Sequence, residues 1–183
     1  MAQLASGRML VGTVAGRVFV RVEGRATHLN SQPLREFLEV MIQRGHRDLD
    51  IDLGECIFLD STFVGVLSVI ALRVRGPMAG TVRVFRASER LLELFRGLGV
   101  ERYFSIVPPE ENHELLGPQE LDVLPASSRT RAAWATTILE AHRVLTEADP
   151  TNLPRLRDVL ELMEQGTPDP SLLSPRDRHG RKN

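Results

Sequence analysis

The chain has 183 residues, 42% hydrophobic and 26% charged, which is enough for one ordinary core plus a modest extension. Its 23 basic and 24 acidic side chains leave a formal net charge of -1 and no chain-wide positive field, so nucleic acid is not an expected partner. Cys56 is the single cysteine, which excludes an internal disulfide or a cysteine-based zinc site within one copy and fits a reducing cytoplasm.

In chain order, residues 9–14 and 18–23 are rich in Val and Phe and are separated by Ala15-Gly16-Arg17, the pattern of a hairpin of two short strands. A loop over 25–31 is expected next. It leads to Leu34, Phe37, Leu38, Met41 and Ile42, spaced three and four apart along one helical face, and Gly45 stops that helix. Leu49-Asp50-Ile51-Asp52-Leu53 alternates apolar and acidic residues as a strand does, with Ile57-Phe58-Leu59 at its C-terminal exit. Val64, Leu67, Ser68, Ala71 and Leu72 give the next helix its inward stripe, and Gly76-Pro77 ends it. Residues 81–85 read as a further strand. Ser88 suits the N-cap of a helix carrying Leu91, Leu92, Leu94, Phe95 and Leu98, and a short strand at 104–107 completes the unit.

Helices alternating with strands favour a mostly parallel or mixed sheet, because each crossover helix returns the chain to the same end of the sheet. The expected fold class is therefore α/β, with about five strands and helices packed on them. Loops at strand C-termini then share one face, which brings 25–31 beside Asp60-Ser61-Thr62. Composition shifts at Pro108, and 108–128 reads as a linker or irregular strap. Beyond it, Trp134, Ile138, Ala141 and Leu145, then Leu153, Leu156, Val159, Leu160 and Met163, recur at helical spacing. A C-terminal helical hairpin is expected over 129–166, packed on the first domain or, as a homodimer, on a second copy. The tail 167–183 is basic and carries prolines, the composition of a disordered end. Residues 1–8 lack the apolar core of a signal peptide, and no run nears the ~18 apolar residues of a membrane span. A cytoplasmic protein without membrane contact is expected.

The chemistry concentrates at Leu59-Asp60-Ser61-Thr62, which ends an apolar strand and opens a helix. A helix start exposes free backbone N–H groups and a partial positive charge, so a phosphate on Ser61 is electrostatically tolerated there. The same turn is also accounted for by capping alone, with Asp60, Ser61 and Thr62 sharing the role. His28 is a lone histidine in the facing loop, without a second base, metal ligand or nucleophile beside it, and Cys56 reads as a small buried side chain. Glycine-rich phosphate loops are absent, so no enzyme activity, metal or cofactor is expected.

Over 9–107, the order of elements together with Phe58-Leu59-Asp60-Ser61-Thr62-Phe63-Val64-Gly65 resembles the STAS domain of bacterial anti-sigma factor antagonists. In that family an Asp-Ser-Ser/Thr-Gly-apolar-Gly turn begins the second helix, and the serine after the aspartate is phosphorylated by a partner kinase that doubles as an anti-sigma factor. The resemblance implies a non-catalytic transcription regulator, with Ser61 as the phosphoacceptor and an anti-sigma factor serine kinase as partner. It also implies a partner surface made by Asp60, Thr62 and Phe63 with Thr27, His28, Asn30 and Ser31. Two departures bear on that partner: Phe63 stands where the family usually has glycine, adding a large apolar group beside the acceptor, and Gly24-Arg25-Ala26-Thr27 lacks the family's acidic residue. The alternative is a scaffold that is not phosphorylated, or an oligomerisation module, in a signalling complex.

Overall fold

The computed structural model describes residues 7–76, 79–109, 111, 121–125 and 131–164. β1 (Arg8–Val14) and β2 (Arg17–Ala26) form an antiparallel hairpin, its turn made by Ala15 and Gly16 at φ of 49° and 80°. From β2 onward the chain alternates: α1 (His28–Gln43), β3 (Asp48–Leu59), α2 (Ser61–Arg75), β4 (Thr81–Phe85), α3 (Glu89–Gly97) and β5 (Ser105–Ile106). A two-residue strand, β6 (Asp122–Val123), precedes α4 (Arg131–Ala148) and α5 (Leu153–Glu164). The sheet has six strands in the order β5-β4-β3-β2-β1-β6, parallel from β2 to β5 and antiparallel at β1 and β6.

Several boundaries differ from the sequence expectation, each for a local reason. The expected loop over 25–31 is mostly strand end and helical turn. Thr27 N-caps α1 through a capping box, its hydroxyl accepting from Leu29 N at 3.4 Å while Asn30 Oδ1 accepts from Thr27 N at 3.1 Å. Pro33, inside the helix, disguises that start in the sequence. β3 runs unbroken for 12 residues, and its length is absorbed by two register shifts at which β3 carries an extra residue, opposite Arg21–Glu23 and opposite Gly24–Arg25 of β2. Ser88 holds the N-cap position of α3 without a side-chain cap bond. The sixth strand lies within 108–128, where Asp122 and Val123 pair with Val11 and Leu10. The tail 167–183 lies outside the described residues.

Val18, Val20 and Val22 on β2, Leu49, Ile51 and Leu53 on β3, and Val82 and Val84 on β4 are buried in one core with Leu34 and Leu38 of α1, Val64 and Leu67 of α2, and Phe95 of α3. The other side of β3 carries the acidic residues of the alternating run, and these are covered by arginine rather than open to water. Asp50 accepts from Arg17 at 2.9–3.0 Å and from Arg83 at 2.7–2.8 Å; Asp52 accepts from Arg21 at 2.9 Å and from Arg86 at 2.6–2.9 Å. Arg21 and Arg83 in turn lie over the rings of Phe19 and Phe85. Burial pushes both carboxyls up, but the guanidinium hydrogen bonds outweigh it and leave them below the ordinary aspartate value.

The C-terminal hairpin packs on its own domain. α4 crosses α2 at Gly65, where an added Cβ would come within 2.8 Å of Ala141 Cβ and 2.7 Å of its carbonyl oxygen. Glycine costs a helix roughly 1 kcal/mol relative to alanine, and this close approach is what it allows. Leu145, Ala148 and Leu156 join the main core. Asn152, in the turn between the two helices, donates to Leu98 O at 3.0 Å and to Leu145 O at 2.9 Å, and Arg102 donates to Ala148 O at 3.0 Å. Among the described residues no helix is long and apolar enough to cross a membrane.

Candidate functional site

Two crossover units meet at Asp60. Its backbone N–H donates to Ala26 O at 3.1 Å, joining the exits of β2 and β3. Its carboxylate serves both helices that leave them: Oδ1 accepts from Phe63 N of α2 at 2.8 Å, and Oδ2 accepts from His28 N of α1 at 2.7 Å. The expected proximity of 25–31 to the Asp60 turn is thus a direct bond. Capping of α2 falls to Asp60. Ser61 is the first helical residue, part exposed, and its hydroxyl makes no hydrogen bond to any described residue. The amides of Ser61 and Thr62, in the first turn, have no carbonyl within the helix to donate to.

A cleft of about 480 Å³ opens here, lined by Arg25, Thr27, His28, Leu29, Phe58, Asp60, Ser61, Thr62, His142 and Val159. The N-termini of α1 and α2 both face it, and the Arg25 guanidinium, 4.0 Å from the Phe58 ring centroid, adds a cation. His28 Nδ1 lies 3.5 Å from Asp60 Oδ2, and the ring meets Trp134 edge-on with centroids 5.9 Å apart. His142 reaches the cleft from α4. Its Nδ1 is 2.9 Å from Ile138 O, and since a carbonyl only accepts, Nδ1 carries the proton of the neutral ring. Burial holds the His142 pKa below its ordinary value, against the opposing effects of the Ile138 carbonyl and the Asp60 carboxylate.

Of the residues expected at a partner surface, Thr27, His28, Asp60, Ser61 and Thr62 line this cleft. Asn30 and Ser31 do not. Asn30 completes the capping box and donates to Gly7 O at 3.2 Å, while Ser31 is fully buried and donates to His28 O at 2.8 Å. Phe63 is 0% exposed: it points into the core beside Val64 and Leu67, and adds no apolar group to the surface beside Ser61. From Phe63 to Ala71 the helix is apolar on nearly every side, so the sequence gives no sign of which side chain turns inward. Arg25, Leu29, Phe58, His142 and Val159 were not singled out as site residues. The pairing of Arg25 with Phe58 depends on the two register shifts, which strand alternation does not reveal; His142 and Val159 carry no signal either, because the docking of the hairpin is a tertiary fact.

Residues 9–108 match the family model described as Mlab, STAS domain. The chain belongs to the STAS domain family. Solved structures resemble the chain at low identity. An anti-sigma factor antagonist from Mycobacterium paratuberculosis is 21% identical, with a TM-score of 0.50 over 56% of this chain and 86% of that one. The anti-sigma factor antagonist SpoIIAA in its unphosphorylated form is 18% identical, with a TM-score of 0.47 over 55% and 87%. The Bacillus cell fate determinant SpoIIAA in its phosphorylated form is 20% identical, with a TM-score of 0.46 over 57% and 94%. No curated protein matches the chain. In this STAS domain the family match stops at 108, so α4 and α5 lie beyond it.

Proposed function

We propose that this STAS domain is a non-catalytic, cytoplasmic regulator of the anti-sigma factor antagonist kind. Its unmodified Ser61 face binds a serine kinase that is itself an anti-sigma factor, and phosphorylation of Ser61 breaks that contact. The observation that carries the reading is the division of labour at the turn: Asp60 alone caps α2, and Ser61 presents an uncommitted hydroxyl at the cleft.

A phosphate on Ser61 would add up to two negative charges at the positive end of α2, with Arg25 and the first-turn amides in the same cleft. Asp60 repels it, yet both carboxylate oxygens are already held by backbone N–H groups. The fold is therefore retained, and what changes is the charge and bulk a partner meets. Intact-mass and peptide mapping of protein purified from its own cells is expected to find phosphate on Ser61. Against the kinase encoded nearest to it, Ser61→Ala is expected to bind as the unmodified protein does and Ser61→Asp at least about tenfold more weakly, the effect of an unpaired charge placed in an interface. Equal affinities for the two variants would sink the reading.

A further inference from the structure

The cleft beside Ser61 holds more unused polar groups than a phosphoacceptor accounts for. His142 is 2% exposed and Thr62 5%, yet both line it. The His142 ring spends its Nδ1–H on Ile138 O, and Nε2 has no hydrogen-bond partner among the described residues. The Thr62 hydroxyl has none either. Folded proteins pair the large majority of their buried polar atoms, because leaving one unpaired is costly. Among the described residues, the fully enclosed orphan atoms are Arg35 Nη1 and Asn152 Oδ1, both elsewhere. The His142 and Thr62 atoms keep an opening, and the cavity that both residues line is this cleft, so whatever fills it satisfies them.

The remaining lining says what that occupant is. Arg25 lies over Phe58 and has no carboxylate partner among the described residues, and the free amides of Ser61 and Thr62 add the positive end of α2. Asp60 is the opposing charge, with both oxygens already taken by backbone N–H groups. One cation and a helix end set against one carboxylate suit a single negative charge better than two. Burial keeps the His142 ring neutral, so Nε2 offers a lone pair and takes a donor. Water alone would serve these polar atoms but leave the apolar walls of Leu29, Phe58 and Val159 wet. The volume of about 480 Å³ lies within the range of small-molecule pockets. His142 and Val159 come from the hairpin, beyond the stretch that matches the STAS family, so the hairpin completes the cavity.

We propose that this cleft binds a small organic acid with a hydroxyl at its far end. Its single carboxylate lies at Arg25 and the first turn of α2, its apolar body rests against Leu29, Phe58 and Val159, and its hydroxyl donates to His142 Nε2. The occupant touches Ser61, so a small acid and anything that meets the Ser61 face compete for one place. The site goes beyond the phosphoacceptor reading and does not depend on it.

The test uses the unaltered full chain and three probes of graded length: para-hydroxybenzoate, para-hydroxyphenylacetate and para-hydroxyphenylpropionate. Each is titrated by calorimetry and by nitrogen NMR of the histidine side chains. At least one is expected to bind with a Kd of about 1 mM or tighter, the range open to a ligand of this size, and to move the His142 Nε2 resonance. The matching acid without the hydroxyl is expected to bind at least about fivefold more weakly and to leave that resonance in place. The matching alcohol without the carboxylate is expected to lose at least about tenfold, and Arg25→Gln to weaken the best acid by a similar factor. Silence of all three probes up to about 10 mM overturns the proposal and leaves the cleft to water. Equal binding of the acid without its hydroxyl or of the alcohol, an unresponsive His142, or an Arg25→Gln variant that binds as the parent does overturns it as well. None of these readouts involves a kinase or phosphate, so a Ser61 found unmodified ends the phosphoacceptor reading and leaves this one standing.

Discussion

Asp60 does more for the fold than Ser61 does, and that asymmetry leaves Ser61 free. One carboxylate caps α2, accepts from the first amide of α1 and sits between the two strand exits. Asp60→Ala is expected to destabilise the domain by about 2 kcal/mol, the loss of a cap plus a second charge-assisted bond, read as a lower urea midpoint at constant slope. Ser61→Ala breaks no bond to a described residue and should leave that midpoint unchanged within about 0.5 kcal/mol. Asp60-Ser61-Thr62 is legible in the sequence as a helix start. What the sequence does not give is the choice among three capable side chains, which depends on the amide of His28 arriving from another part of the chain.

At the scale of elements, β3 shows how far a pattern can mislead about environment. The alternation of Leu49 to Leu53 marks a strand correctly, and alternation ordinarily implies one wet face. Here that face is dry at Asp50 and Asp52 because neighbouring strands place arginines in register, with Asp50 opposite Phe19 on β2 and Arg83 on β4. Both carboxyls have pKa values depressed in the fold, so the folded state binds their protons less readily than the unfolded chain. Their stabilisation is fully present above the unfolded value near 3.9 and is lost as pH falls through the depressed native values. Acid titration should therefore show level stability down to about pH 4.5 and a fall below about pH 4. Asp52→Asn is expected to make that fall shallower and to lower stability at neutral pH by about 2 kcal/mol, because Arg21 and Arg86 lose their shared anion. The order of strands and helices from β1 to β5 was legible. The start of α1 and the strand at 122–123 were not, since a proline obscures the first and two residues carry no periodicity for the second.

For the molecule as a whole, the sequence left open whether the C-terminal helices cover their own domain or a second copy. Within this chain Ile138, Ala141 and Leu145 are spent on α2 and the core, so sedimentation of the full chain is expected to return the mass of one copy, and a dimer would have to use another surface. β6 carries a further consequence, for the order in which the protein is made. Leu10 and Val11 of β1 receive their outer neighbours from Val123 and Asp122, which follow every other strand in the chain. During synthesis β1 and β2 leave the ribosome before β6 and can pair at once, but the outer edge of β1 stays bare until residue 123 has emerged. A nascent chain therefore carries an open template for strand addition from the emergence of β1 until that of β6.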